Sequence, residues 1–297
     1  MSEISESLRK EFGTNDAKRD QGLTTPEDVI RYDNIRYAAD PVWNLLDVYR
    51  PKQLSGTLPV IIIYHGGGWV YGTKEVYQFY GMSLAQRGFA VINFTYRLAP
   101  EHRFPSPLED MNSVIDWMYE NAQKYLLDMD NVFIVGDSAG AHLTGLFCAI
   151  CTDREYADNF KFRVKSGFVP RAIGMNCGAY ELFKDGVPIQ VDDRTTALMK
   201  DFLPEENYDE TTALVNVSEL VNPKFPPAYI MTAKGDFLLK QAPILEEAYR
   251  RNGVLFKSKV YGDEENKLYH VFHCTITEDA ARQCNDDECE FFRSQVK

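Results

Sequence analysis

The sequence predicts an α/β fold, a mostly parallel central sheet flanked by helices with a small cap, and three observations predict it. Short apolar or β-branched runs alternate with helical segments from about residue 58 onward, the pattern of parallel strands joined by helical crossovers. The runs are near-continuously apolar, so helices are expected on both faces of the sheet. The composition, 44% hydrophobic and 26% charged over 297 residues, supplies a large core. No repeat, low-complexity tract or linker divides the chain, so residues 1–297 are expected to form one domain.

Residues 34–37 and 45–49 read as an antiparallel edge pair. Strands are expected at 60–64, 90–95, 132–135, 172–176, 228–232 and 256–261. Between them fall helical segments. Segment 74–87 ends at Gly88 and segment 239–252 at Gly253, residues that take a left-handed cap without cost. Segment 107–125 carries the periodic set Met111, Val114, Ile115 and Met118. Segment 139–152 is almost wholly apolar, which predicts a buried helix, and 278–295 has the acidic N-terminal half that a helix dipole favours. Residues 178–223 are too long for an ordinary crossover and hold Tyr180, Phe183, Phe202, Tyr208 and a short helix at 193–203. Such an insertion reads as a lid over a site. The first 30 residues lack a strand and are expected beside it, so 1–30 and 178–223 together form the expected cap.

The net charge of −12 argues against a nucleic-acid partner and against anionic membrane surfaces. The longest apolar stretches, such as 59–64, fall far short of the ~20 residues of a membrane span. The polar start has no apolar signal region, so a cytoplasmic protein is expected. Cys148, Cys151, Cys177, Cys274, Cys284 and Cys289 are then expected as free thiols. Cys148 and Cys151 form a CxxC inside an apolar helical run, with no second CxxC or histidine pair to complete a metal site, and read as small buried apolar residues. Cys284 and Cys289 lie on an acidic helix and read as surface thiols.

The strongest local signal is Gly136-Asp137-Ser138-Ala139-Gly140, a G-x-S-x-G with a strand before it and an apolar helix after it. That context defines a nucleophile elbow, in which a tight turn lifts the serine hydroxyl clear of the backbone at a helix N-terminus. A second signal follows the strand at 60–64: His65-Gly66-Gly67-Gly68-Trp69. Three glycines in succession expose backbone N–H groups suited to a developing oxyanion. A phosphate cradle would need a G-K-[ST] or a G-x-G-x-x-G, and neither is present. A serine needs a base, and the base an orienting acid. Of five histidines, His65 belongs to the glycine loop, His142 follows Ser138 on the same helix and His102 lies in a proline-rich loop. His270 and His273 follow the last strand, on the side where sites form in open α/β sheets, and are the candidate bases. Asp236 follows the strand at 228–232 and is the candidate acid, although a helix N-cap would use it equally well.

With these residues in place, the chain resembles the hormone-sensitive-lipase-like carboxylesterases of the α/β-hydrolase superfamily. The resemblance rests on HGGGWVYG from His65, YRLAPE from Tyr96 with Phe104-Pro105 and Leu108-Glu109-Asp110, and GDSAG around Ser138. It implies an α/β-hydrolase fold and hydrolysis of short-chain carboxylic esters, with a small-molecule ester as substrate and neither metal nor organic cofactor. It also implies oxyanion donors at the backbone N–H groups of Gly67, Gly68 and Ala139. The family's His-Gly-Phe aligns with His270-Val271-Phe272, which selects His270 over His273 and loses the glycine. The family's Asp-Pro-Leu with a second Asp becomes Asp236-Phe237-Leu238, without the second carboxylate, and loop 262–269 is longer and more acidic than usual. Ser138, Asp236 and His270 are thus the expected triad. Acetyl esters of carbohydrates or amides and formamides are alternative substrates for it. The rival from another class is a small-ligand-binding protein on a hydrolase scaffold. The sequence is compatible with a homo-oligomer.

Overall fold

The β-branched runs lie side by side in a computed structural model that describes residues 2–184, 187–189 and 193–297. The strands are β1 Val29–Arg36, β2 Leu45–Pro51, β3 Leu58–Tyr64, β4 Ala90–Phe94, β5 Leu127–Asp137, β6 Ala172–Asn176, β7 Phe183–Lys184, β8 Val187–Pro188, β9 Ala228–Ala233 and β10 Phe256–Tyr261. The helices are α1 Glu3–Arg19, α2 Gln78–Gln86, α3 Ser106–Tyr125, α4 Ala139–Thr152, α5 Arg154–Ala157, α6 Asp193–Phe202, α7 Tyr208–Thr212, α8 Val217–Leu220, α9 Gln241–Arg251 and α10 Asp279–Ser294. Eight strands form one sheet in the order β1-β2-β4-β3-β5-β6-β9-β10, while β7 and β8 make a separate ribbon. In the large sheet only the β1–β2 and β2–β4 pairings are antiparallel. This is the expected fold: a mostly parallel sheet behind an antiparallel edge.

Alternate residues of β3 show why its run had to be apolar throughout. Val60, Ile62 and Tyr64 pack with Met111, Ile115, Leu143 and Leu245 of α3, α4 and α9 on one face. Ile61 and Ile63 pack with Met82, Leu84, Phe291 and Phe292 of α2 and α10 on the other. The parallel order brings the C-terminal ends of β3, β5, β9 and β10 to one edge, where the loops carrying the candidate residues emerge. Among the described residues no helix is long and apolar enough to cross a membrane.

Four expectations change. Helix α2 starts at Gln78, because Lys74 is spent in the preceding loop. Its N–H donates to Thr95 Oγ1 and its ammonium pairs with buried Asp47 at 3.0 Å. Strand β5 starts at Leu127, extended by pairing with Leu58 and Pro59. The edge strand β1 starts at Val29 and so enters the N-terminal segment expected to lack a strand, the rest of which is mainly one helix, α1, capped by the Ser2 hydroxyl, which accepts from the Ser5 N–H. Cys284 and Cys289 are buried, because Ala281, Cys284, Glu288 and Phe292 recur at helical spacing on the face of α10 that covers the sheet. Cys148 is buried and Cys151 partly so, and all six thiols are free.

Helix α1 packs against α6 of the insertion. The Ser2 N–H, Ser2 hydroxyl and Ser5 hydroxyl all donate to the Asp201 carboxylate. Arg9 adds bonds to the carbonyls of Val70 and Ala99 and an ion pair with Glu101. Positions 185, 186 and 190–192 of the expected lid lie outside the described residues.

Candidate active site

The turn from β5 into α4 holds Ser138 at φ +52° and ψ −120°, a conformation that only a tightly determined turn maintains. The determination comes from the glycines. A Cβ on Gly140 would stand 1.8 Å from the Tyr64 carbonyl oxygen, and one on Gly136 would stand 2.4 Å from that of Gly140. The Ser138 N–H donates to the Asn176 carbonyl at 2.9 Å, so β6 fixes the elbow from the side. Ala139 is the first residue of α4, and its N–H has no intrahelical acceptor.

Ser138 Oγ lies 3.0 Å from His270 Nε2, and His270 Nδ1 lies 2.8 Å from Asp236 Oδ1. The carboxylate dictates the tautomer: Nδ1 carries the proton and donates it to Asp236, leaving Nε2 to accept from the serine. Asp236 also accepts from the Leu238 N–H at 2.9 Å and the Thr232 hydroxyl at 3.0 Å, so it fills the turn-capping and imidazole-orienting roles together. Burial pushes the Asp236 carboxyl up, but the His270 hydrogen bond and charge, the Leu238 N–H and the Cys177 thiol outweigh it, and the net shift is downward. The Gly235 N–H donates to the Leu268 carbonyl at 2.8 Å, fastening the acid loop to the histidine loop. Val271 has φ +52°, so the backbone keeps the left-handed turn that a glycine there would adopt without cost. The acidic loop turns on Asp263, whose carboxylate accepts from the N–H groups of Glu265 and Asn266, and Glu264 pairs with Lys234 and Lys267.

His273 lies elsewhere. It is fully buried, its Nε2 faces Cys274 Sγ at 3.6 Å, and burial pushes it down to about 3. His142 is equally committed: its Nδ1 accepts from Trp69 Nε1 at 3.2 Å, and Nε2 bonds the Val215 carbonyl at 2.8 Å.

The glycine loop crosses the mouth of the elbow. Gly67 has φ +112°, and a Cβ there would stand 2.1 Å from the Tyr71 carbonyl oxygen. His65 is buried beneath the loop, stacked 4.0 Å from the Tyr96 ring, with Nδ1 bonded to the Gly66 carbonyl at 2.8 Å. Burial pushes it down to about 4, so it is a neutral strut. Trp69, 2% exposed, stacks on Phe202 of α6 and ties the loop to the insertion. One connection was not legible in sequence. The Gly66 N–H donates to Tyr77 Oη at 3.0 Å, and the Tyr77 hydroxyl donates to Asp137 Oδ2 at 2.7 Å. Tyr77 thereby joins the glycine loop to the elbow. Asp137 is buried, and burial raises it to about 6 against the pull of the Tyr77 hydrogen bond.

Ser138, His270, Gly66, Gly67, Gly68 and Ala139 line one cavity of about 560 Å³. Leu8 and Phe12 of α1 and Leu198 of α6 wall it on the cap side, and Phe237, Leu238 and Val271 on the histidine side. On the α1 and α6 side its charged residues are paired, Arg19 with Asp16 and Arg194 with Glu11, and Asp137 accepts from the Tyr77 hydroxyl.

The comparisons agree with this architecture. The BD-FAE family model matches residues 46–247. Esterase LipC of Mycobacterium tuberculosis is 35% identical over 41% of this chain and 30% of its own length. Versiconal hemiacetal acetate esterase of Dothistroma septosporum is 29% identical over 72% of this chain and 67% of its own length. The chain therefore spans only part of these curated relatives. The crystal structure of esterase B from Lactobacillus rhamnosis superposes with a TM-score of 0.87 at 26% identity, covering 98% of this chain and 93% of that one. With a family match over most of the chain and a mostly parallel eight-stranded sheet, the chain is a hormone-sensitive-lipase-like α/β-hydrolase and belongs to the BD-FAE family.

Proposed function

We propose that the protein is a serine carboxylesterase that cleaves short-chain carboxylic esters through an acyl-enzyme. The observation that carries this reading is the continuous relay from Ser138 Oγ to His270 at 3.0 Å and on to Asp236 at 2.8 Å, opening into the cavity beside the glycine loop. The matched relatives are named as esterases, which supports the same reaction class.

His270 Nε2 takes the Ser138 proton as Oγ attacks the ester carbonyl carbon. The carbonyl π pair moves onto oxygen, and the N–H groups of Gly67, Gly68 and Ala139 hold that oxyanion. Asp236, ionised through the neutral range, stabilises the imidazolium without taking its proton. As the oxyanion collapses, the carbon–oxygen bond to the alcohol breaks. The leaving oxygen takes the His270 proton, and the acyl group stays on Ser138. Water then repeats the sequence, with His270 as base, and releases the acid. Helices α1 and α6, held together at Asp201, are the cap of a single domain and wall the cavity with Leu8, Phe12 and Leu198.

The test is turnover of p-nitrophenyl butyrate by Ser138→Ala, with circular dichroism confirming the fold. Loss of hydrolysis is expected, and a variant that retains turnover refutes the assignment.

A further inference from the structure

The chemistry of acylation fixes where the alcohol half of the ester lies. Its oxygen accepts the proton from His270 Nε2 as the bond to the carbonyl carbon breaks, so the alcohol must rest against the imidazole, wherever the acyl chain goes. The side chains that surround His270 and face the cavity then decide which alcohols fit. The foremost is Phe237. Its ring centroid is 4.4 Å from that of His270, tilted by 48°, and it lines the same cavity as Ser138. Leu238 and Val271 continue the apolar wall.

Phe237 is 52% exposed, whereas its neighbours Asp236 and Leu238 are buried. An aromatic ring held half-open beside the His270 imidazole offers an uncovered face, and covering it with apolar or aromatic surface is favourable. The cavity's charges do not compete for the alcohol, because Arg19 and Asp16, and Arg194 and Glu11, are already paired on the α1 and α6 side. We infer that Phe237 is an alcohol-side specificity residue, and that esters of aromatic or bulky apolar alcohols are preferred over those of small alcohols. The inference rests on the serine-esterase reading above and names one half of its substrate.

The test compares benzyl butyrate with ethyl butyrate, which share an acyl group and differ only in the alcohol. In Phe237→Ala, kcat/KM for the benzyl ester is expected to fall roughly tenfold, the range of an aromatic contact, while the ethyl ester changes less than about twofold. Hydrolysis of the butyryl-enzyme, measured in a rapid-quench experiment, is expected to stay unchanged, because the alcohol has already left. Phe237→Leu preserves apolar packing on His270, and it carries the comparison should the alanine variant fold poorly, with a smaller selective loss. Equal losses for both esters, or slowed deacylation, would mean that Phe237 acts only by holding His270 and would overturn the inference. Unchanged kinetics would overturn it as well. A wild type that hydrolyses neither ester and takes no fluorophosphonate label on Ser138 removes the esterase reading, and the inference with it. A wild type active on both esters with no selectivity at Phe237 removes only the inference.

Discussion

Behind the elbow, Glu288 of α10 carries a carboxyl with almost no access to solvent, 1% exposed. Its Oε1 accepts from Asn176 Nδ2 at 3.0 Å and its Oε2 from the Tyr80 hydroxyl at 3.4 Å, and a Cβ on Gly174 would stand 2.1 Å from Oε1. Burial raises this carboxyl from 4.5 to about 7, the two hydrogen bonds pull it back in part, and the Asp137 charge adds to the rise. Below pH 4.5 the group is protonated whether the chain is folded or not. Between 4.5 and 7 the unfolded chain ionises it and the folded protein does not, so stability falls as pH rises. Above 7 the loss is complete, at about 3 kcal/mol from about 1.4 kcal/mol for each pH unit between the two values. Glu288→Gln keeps the shape and removes the ionisation. Urea denaturation of both proteins at pH 4.5, 6 and 8 reads this group together with its coupling to Asp137, because carboxylates that do not interact with it cancel in the difference. The variant is expected to match the wild type at pH 4.5 and to be more stable by about 3 kcal/mol at pH 8. A difference that stays constant with pH, or that favours the wild type at pH 8, would mean that Glu288 is not held protonated in the folded protein.

Two further substitutions probe the loops that shape the site. Gly67→Ala drives a methyl into the Tyr71 carbonyl oxygen and opposes a φ of +112°, so an oxyanion donor should be lost. A fall in kcat of roughly a hundred- to a thousandfold on p-nitrophenyl butyrate is expected, with KM changed far less. Asp201→Ala removes the acceptor for the Ser2 N–H and for the Ser2 and Ser5 hydroxyls, bonds to a charged group worth on the order of 1.5–3 kcal/mol each. Limited proteolysis should then cut α1 faster, and kcat/KM should fall as the Leu8 and Phe12 wall loosens.

What could be read from the sequence follows the physics of each element. The strands β3, β4, β6 and β9 were legible because a sheet covered on both faces demands apolar runs, and α3 because its buried stripe recurs at helical spacing, whereas β10, expected as another apolar run, is a half-exposed strand at the sheet edge. Helix α1 was not legible as a helix, since only Ser5 and Leu8 are buried along it and it is held by polar bonds to Asp201, Val70 and Ala99. Cys284 and Cys289 were misread because the nearby acids Asp286, Asp287 and Glu290 dominate the local composition, while the thiols turn to the opposite, core-facing side. The candidate triad was legible from motif order and strand ends. Tyr77 was not, because its role depends on a tertiary meeting of Gly66 and Asp137 that no local pattern encodes. Phe237 was visible only as a departure from the family's motif, and its place against His270 needed coordinates.

The central claim is that Ser138 becomes a nucleophile through His270, and not through His273 three positions later. Fluorophosphonate labelling followed by peptide mass analysis, on the wild type, His270→Ala and His273→Ala, tests it most directly. The geometry predicts the label on Ser138 in the wild type and in His273→Ala, since the His273 imidazole it removes is buried against Cys274, and its loss in His270→Ala, where the 3.0 Å contact to Oγ is gone. A label that survives in His270→Ala, or that lands on a residue other than Ser138, would contradict the account.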